Sequence, residues 1–169
     1  GFMEPLESTS IHLIQSAISC FLSVMPNGAP DPAIVDWFND QAAFEWMRIR
    51  DFLVLHYVAN ERRGEPFWDA VRAQELPETL AAKIDQWKAT GFIHREHEEL
   101  FTEVGWFQVF AGQGVEARGY NPVADALPEK DLRALLGETE AALVEQVRPM
   151  DHHIDFLARM IRAGQGTPS

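Results

Sequence analysis

At 169 residues and 46% hydrophobic content the chain can bury a core of ordinary size, so one compact domain is the default expectation. Its 26 acidic residues against 14 Lys and Arg give a net charge of -12 with no basic cluster, which excludes nucleic acid and an anionic membrane surface as partners. A single cysteine, Cys20, excludes an intrachain disulfide, and with no membrane-length apolar run and no basic leader the sequence reads as a soluble, untargeted cytoplasmic protein.

Helical patterns fill most of the chain. From Ser10 to Val24 the apolar residues Ile11, Ile14, Ile18, Phe21 and Leu22 recur at three and four positions, and Pro26-Asn27-Gly28 ends the run. Cys20 falls inside this pattern, which predicts a buried thiol. Asp31-Pro32 is a cap followed by proline at the first helical position, and it opens a stretch from Ile34 to Leu55 that forms one long helix or two with a bend. Asn60 to Pro66 is polar and contains Gly64, as a surface loop would, and a short helix follows from Phe67 to Ala73. Pro77 starts a helix over Glu78 to Thr90 that Gly91 stops.

The next stretch, His94 to Phe101, is densely charged and predicted to be exposed. Periodicity returns at Trp106 to Ala111, where Trp106, Phe107 and Phe110 are expected in the core, and Gly112-Gln113-Gly114 breaks it. Gly119 to Pro128 is irregular. Pro128 then opens a helix through Leu132, Leu135, Leu143 and Val147, and Asp151 caps a last helix bearing Ile154, Phe156, Leu157 and Ile161 before a loose tail. No convincing alternation marks a sheet, so the fold class is all-α: an irregular helical bundle.

Chemistry concentrates at the front of the first helix. A helix start offers backbone N-H groups without internal partners and a partial positive charge, so Thr9 and Ser10 could hold a small anion there. Glu7 lies just before it. Acidic residues in that place ordinarily complement the helix dipole, a contribution of roughly 0.3 to 1 kcal/mol.

The run Phe2-Met3-Glu4-Pro5-Leu6-Glu7-Ser8-Thr9-Ser10-Ile11 closely resembles the signature segment of the flavin-dependent tryptophan halogenases. Three later blocks match in the same order: Ile49-Arg50-Asp51-Phe52-Leu53-Val54-Leu55-His56-Tyr57, Pro66-Phe67-Trp68, and Trp106-Phe107-Gln108-Val109-Phe110-Ala111-Gly112-Gln113-Gly114. The resemblance spans nearly the whole chain and matches the last third or so of those enzymes. It implies the helical, pyramid-like substrate-binding part of such an enzyme, which halogenates an aromatic carbon through hypohalous acid. Reduced FAD from a separate flavin reductase, dioxygen and a chloride or bromide ion are the implied requirements, and an electron-rich arene such as tryptophan or an indole is the implied substrate.

Residue by residue, the resemblance makes Glu7 the catalytic carboxylate at the substrate end of the tunnel, with Ser8 supporting the same pocket. Thr9 and Ser10 correspond to the pair whose amides hold the halide, Thr9 and Ile11 to flavin contacts, and Phe101 to the residue that stacks on the substrate ring. Ser10 stands where many members carry glycine, and it can serve only if its backbone angles remain allowed. Tyrosines that grip an amino acid's charged groups are not recognisable between Thr90 and His97, which favours an indole or other arene over free tryptophan.

The resemblance also divides the chain into residues 1–25, abutting an FAD-binding module, a helical substrate-binding domain over 26–163, and a tail over 164–169. No G-x-G-x-x-G fingerprint occurs, and Gly112-Gln113-Gly114 has the wrong spacing for one, so the flavin-binding module is expected to be absent from these residues and the chain alone inactive. The other class of reading is a stand-alone helical binding domain without catalysis. His94, His97, His152 and His153 lack a recognised ligand spacing, and no histidine has a glutamate three positions earlier as a di-iron bundle requires, so no metal is expected.

Overall fold

The computed structural model describes residues 3–97 and 99–165, with no side-chain description for 164 and 165. Among the described residues there are seven α-helices and no strand. They are α1 (Thr9–Ser23), α2 (Pro32–Val58), α3 (Pro66–Arg72), α4 (Glu78–Thr90), α5 (Glu103–Gly112), α6 (Glu129–Val147) and α7 (His153–Gln165), with 3-10 turns over Leu6–Ser8 and Pro122–Ala126. The chain divides into two compact units, Gly1–Asn121 and Pro122–Ser169.

Local chemistry explains the boundaries. Asp31 caps α2 by accepting from the Ala33 amide at 2.8 Å, with Pro32 at the first position. No glycine and no further proline interrupts the helix, so it runs unbroken for 27 residues rather than as two pieces. Thr102 caps α5 through the Gly105 amide. Gly91 ends α4 at φ 63°, and the segment that follows α5 crosses that end closely enough for the Arg118 amide to reach the Lys88 carbonyl at 2.7 Å. A Cβ at Gly119 would stand 2.2 Å from the Ala89 carbonyl oxygen, so only glycine fits this crossing.

α1 and α2 run antiparallel. His12 meets Glu45 at 2.9 Å, Ser16 donates to the same carboxylate at 2.9 Å, and Phe21 meets the edge of Phe38. Two apolar clusters hold the first unit together. The larger joins Phe52 and Leu55 of α2, Leu80, Ile84 and Trp87 of α4, and Trp106 and Phe110 of α5. The smaller joins Leu13, Ile49 and Leu53, with Met3 and Leu6 packed against it. Phe101 packs against both.

Trp106 and Phe110 are fully buried, as their periodicity predicts, each contributing about 2 to 3 kcal/mol by removal from water. Phe107 departs from that expectation: it is 51% exposed and meets only the edge of the core, at Trp87. Cys20 likewise is half-buried rather than buried.

A buried ionic group lies beside the larger cluster. Glu99 accepts from Lys83 at 3.2 and 3.4 Å, from the Trp106 indole N-H at 3.2 Å and from the Glu96 amide at 3.1 Å. Lys83 also donates to the His94 carbonyl at 3.0 Å and sits 4.6 Å from the centre of the Trp106 ring. The segment between α4 and α5 is thereby tied down, and Arg48 of α2 pairs with Glu96 from the other side. The expectation of an exposed charged stretch therefore holds for His94 and His97 and fails for Glu99, which is 4% exposed.

In the second unit, α6 and α7 expose apolar residues including Leu135, Leu143, Ile154 and Ile161. Gly164 and Gln165 continue α7 instead of belonging to a tail, and 166–169 lie outside the described residues. No described helix is long and apolar enough to cross a membrane.

Candidate functional site

The segment leading into α1 is anchored along the C-terminal half of α2. Met3 and Leu6 pack on the smaller apolar cluster, and Tyr57 donates to Glu4 at 2.7 Å. Between these anchors and the helix the backbone turns through two successive left-handed residues, Glu7 at φ 61° and Ser8 at φ 53°. Neither is glycine, so the turn costs roughly 1 to 2 kcal/mol per residue.

That turn decides what Glu7 does. An acid serving the dipole of α1 would lie over its free amides, yet α1 has no acidic residue in its first turn and no side-chain cap. Instead the Glu7 carboxylate lies 3.5 Å from Nε2 of His56. It is 40% exposed, whereas the His56 side chain is 16% exposed. Ser8 is exposed and occupies the cap position without capping.

The amino end of α1 is therefore free to receive something else. Thr9 is 2% exposed, and its Oγ1, like Oγ of Ser10, is buried with no hydrogen-bond partner. Two orphaned hydroxyls beside uncapped amides suit a small anion, because each hydroxyl can donate and the helix end is partially positive. Ser10 has no positive φ, so its backbone does not demand glycine. Ile11, on the outer face, is 70% exposed and available to a neighbouring surface.

Phe101 stacks on Phe52 with centroids 3.7 Å apart and planes at 17°, leaving only its opposite face for any further ring. Phe52 meets His56 edge-on at 4.9 Å. A continuous line of contacts thus joins Phe101 to Glu7 by way of Phe52 and His56. His56 has no assigned role in the sequence reading, although it lies in one of the matching blocks. Its signal was its position: a lone imidazole in the otherwise apolar stretch Phe52–Val58 of α2.

Two cavities flank these residues. One, of about 590 Å³, is lined by Leu6, His56, Tyr57, Asn60, Trp68 and Gln113 among others. The second, of about 570 Å³, lies between α1 and the N-terminal half of α2 and includes Cys20, Trp37, Phe44, Arg48 and His97. Glu7 and Phe101 line neither, but Leu6 and His56 bring the first cavity to the edge of the Glu7 turn. Tyr57, on that cavity's wall, is held above its ordinary value near 10, chiefly because its hydrogen bond to Glu4 stabilises the neutral phenol, with burial and the Glu4 charge adding to this. Among the described residues no group of three or more His, Cys, Asp or Glu side chains is placed to hold a metal ion.

Comparison with known proteins gives consistent matches. The family model described as tryptophan halogenase matches residues 1–129. The chain is 36% identical over 167 residues to the 7-chloro-L-tryptophan 6-halogenase KtzR of Kutzneria sp. (strain 744), covering 95% of this chain and 32% of that protein. Among solved structures, BrvH, a flavin-dependent halogenase from Brevundimonas sp. BAL3, superposes with a TM-score of 0.86 at 39% identity, over 94% of this chain and 32% of that one. Xcc4156, a flavin-dependent halogenase from Xanthomonas campestris, gives the same TM-score and coverage at 37% identity. The chain spans at most about a third of the length of these relatives.

Proposed function

The chain belongs to the tryptophan halogenase family, and from that premise we propose that it forms the helical substrate-binding part of an FADH2-dependent enzyme that halogenates an electron-rich aromatic carbon, as in tryptophan or an indole. The observation that carries this reading is the strained turn at Glu7 and Ser8, which withholds a carboxylate from the helix dipole and leaves buried hydroxyls and amides free at the start of α1. Strain of this kind is retained where function requires it.

Reduced flavin, dioxygen and halide supply the hypohalous acid in such an enzyme, with the flavin held by a module outside these residues and reduced by a separate reductase. This chain's own residues do the rest. Thr9 and Ser10 bind the halide through main-chain amides and the orphaned hydroxyls, and Ile11 faces the flavin side. Phe101 offers its free face to the arene.

Attack of the electrophilic halogen makes a cationic ring whose sp3 carbon is strongly acidic. Glu7 stabilises that charge and accepts the proton, restoring aromaticity. Taken alone, the 169 residues turn over nothing.

The test uses the polypeptide that contains this chain together with its flavin-binding part. Glu7→Gln removes the charge and keeps the shape, so turnover of an indole substrate falls by about a hundredfold or more while flavin binding is unchanged. Halogenation near the parental rate by that variant refutes the assignment. No halogenated product from the parent with any arene leaves the chain a binding domain.

A further inference from the structure

We propose that His56 is a positioning residue for Glu7: its imidazole, fixed at one nitrogen by the backbone of its own helix, holds the Glu7 carboxylate in place with the other. The inference rests on the reading of Glu7 given above. It follows from three distances.

Nδ1 of His56 lies 2.8 Å from the Phe52 carbonyl oxygen one helical turn back. A carbonyl can only accept, so this nitrogen carries a proton, and the remaining nitrogen, Nε2, faces outward. Nε2 lies 3.5 Å from Glu7 Oε1. Holding a carboxylate requires a proton on Nε2 as well, which makes the ring an imidazolium and the contact an ion pair. The ring itself has little freedom, because the Phe52 ring meets it edge-on at 4.9 Å and its side chain is only 16% exposed.

Glu7 needs such a partner. Its backbone sits in a strained left-handed turn and its side chain is 40% exposed. A carboxylate that must meet one carbon of a bound ring loses rate steeply when its orientation is free. The ion contact of Glu7 is with His56.

Such a role predicts coupling. In the full enzyme, His56→Leu should lower kcat by roughly tenfold while the KM for the arene changes by less than about twofold, and His56→Gln, which keeps a donor near the Nε2 position, should restore most of the rate. In a Glu7→Gln background the same His56→Leu change should cost less than about twofold, because there is no charge left to position. An equal loss in both backgrounds would make His56 merely structural and overturn the proposal, as would an undiminished rate in His56→Leu.

Failure of the Glu7 reading looks different, since Glu7→Gln alone would then halogenate normally. A second measurement needs no turnover. In long-range proton–nitrogen spectra of the 169-residue chain, His56 should be protonated at both ring nitrogens, and its Nε2 resonance should move on Glu7→Gln. A ring that carries a single proton, or an unmoved resonance, defeats the proposal.

Discussion

Replacing Lys83 with methionine tests how the segment between α4 and α5 is held. Lys83 is 5% exposed and Glu99 4%, so the substitution leaves a carboxylate in the interior without its nearest cation, with only Arg48 at 3.7 Å to offset its charge. Breaking a buried ion pair from one side costs about 3 to 5 kcal/mol. Glu99 keeps two donors, the Trp106 indole and the Glu96 amide, and the Arg48 guanidinium at 3.7 Å, which places the expected loss at the lower end, about 3 kcal/mol. For a chain of this length that corresponds to a fall in melting temperature of about 10 °C.

Urea unfolding of the 169-residue chain, followed by far-ultraviolet circular dichroism, reads the change directly. Adding Glu99→Gln to Lys83→Met removes the stranded charge while keeping an acceptor for both donors, and should recover about half of the loss. A single-variant loss below about 1 kcal/mol, or a double variant weaker than the single, would show that the interaction is not the buried pair described here.

Three further outcomes are expected. Phe101→Ala, which removes the ring stacked on Phe52, should cost about 2 kcal/mol in the same unfolding assay, less than a fully buried phenylalanine because Phe101 is half-buried, and should raise the arene KM of the full enzyme. Ser8→Val should destabilise by about 1 to 2 kcal/mol because a β-branched residue strains further at φ 53°, whereas Ser8→Gly should not destabilise at all. The folded state holds the Tyr57 proton more tightly than the unfolded chain does, so the stability this brings is fully present below about pH 10 and is lost as pH rises through the higher folded value. The phenolate absorbance difference between the parent and Tyr57→Phe should therefore appear above pH 10 and move down in Glu4→Gln.

Much of the helical framework is written locally. Pro77 and Gly91 bracket α4, and Asp31-Pro32 starts α2, because caps and breakers act within a few residues. The resemblance likewise singles out Glu7 and Phe101 as expected site residues. The burial of Glu99 escapes such reading, since its donors come from α4 and α5 and from its own loop, and only their convergence makes a buried charge tolerable. His56 escapes for a related reason. Its carbonyl partner is one turn away, but Glu7 reaches it across 49 residues of chain, through a left-handed turn that neither Glu7 nor Ser8 advertises. The division at Asn121 is also invisible in composition, although the family model ends close by, at residue 129.

Phe101 belongs to both apolar clusters of the first unit. If the proposed function holds, its ring is mortar between two halves of a wall as well as a surface offered to a guest, so enlarging the guest's room by trimming it loosens both halves together. Divergence toward bulkier arenes must then work through neighbours that carry no such double duty.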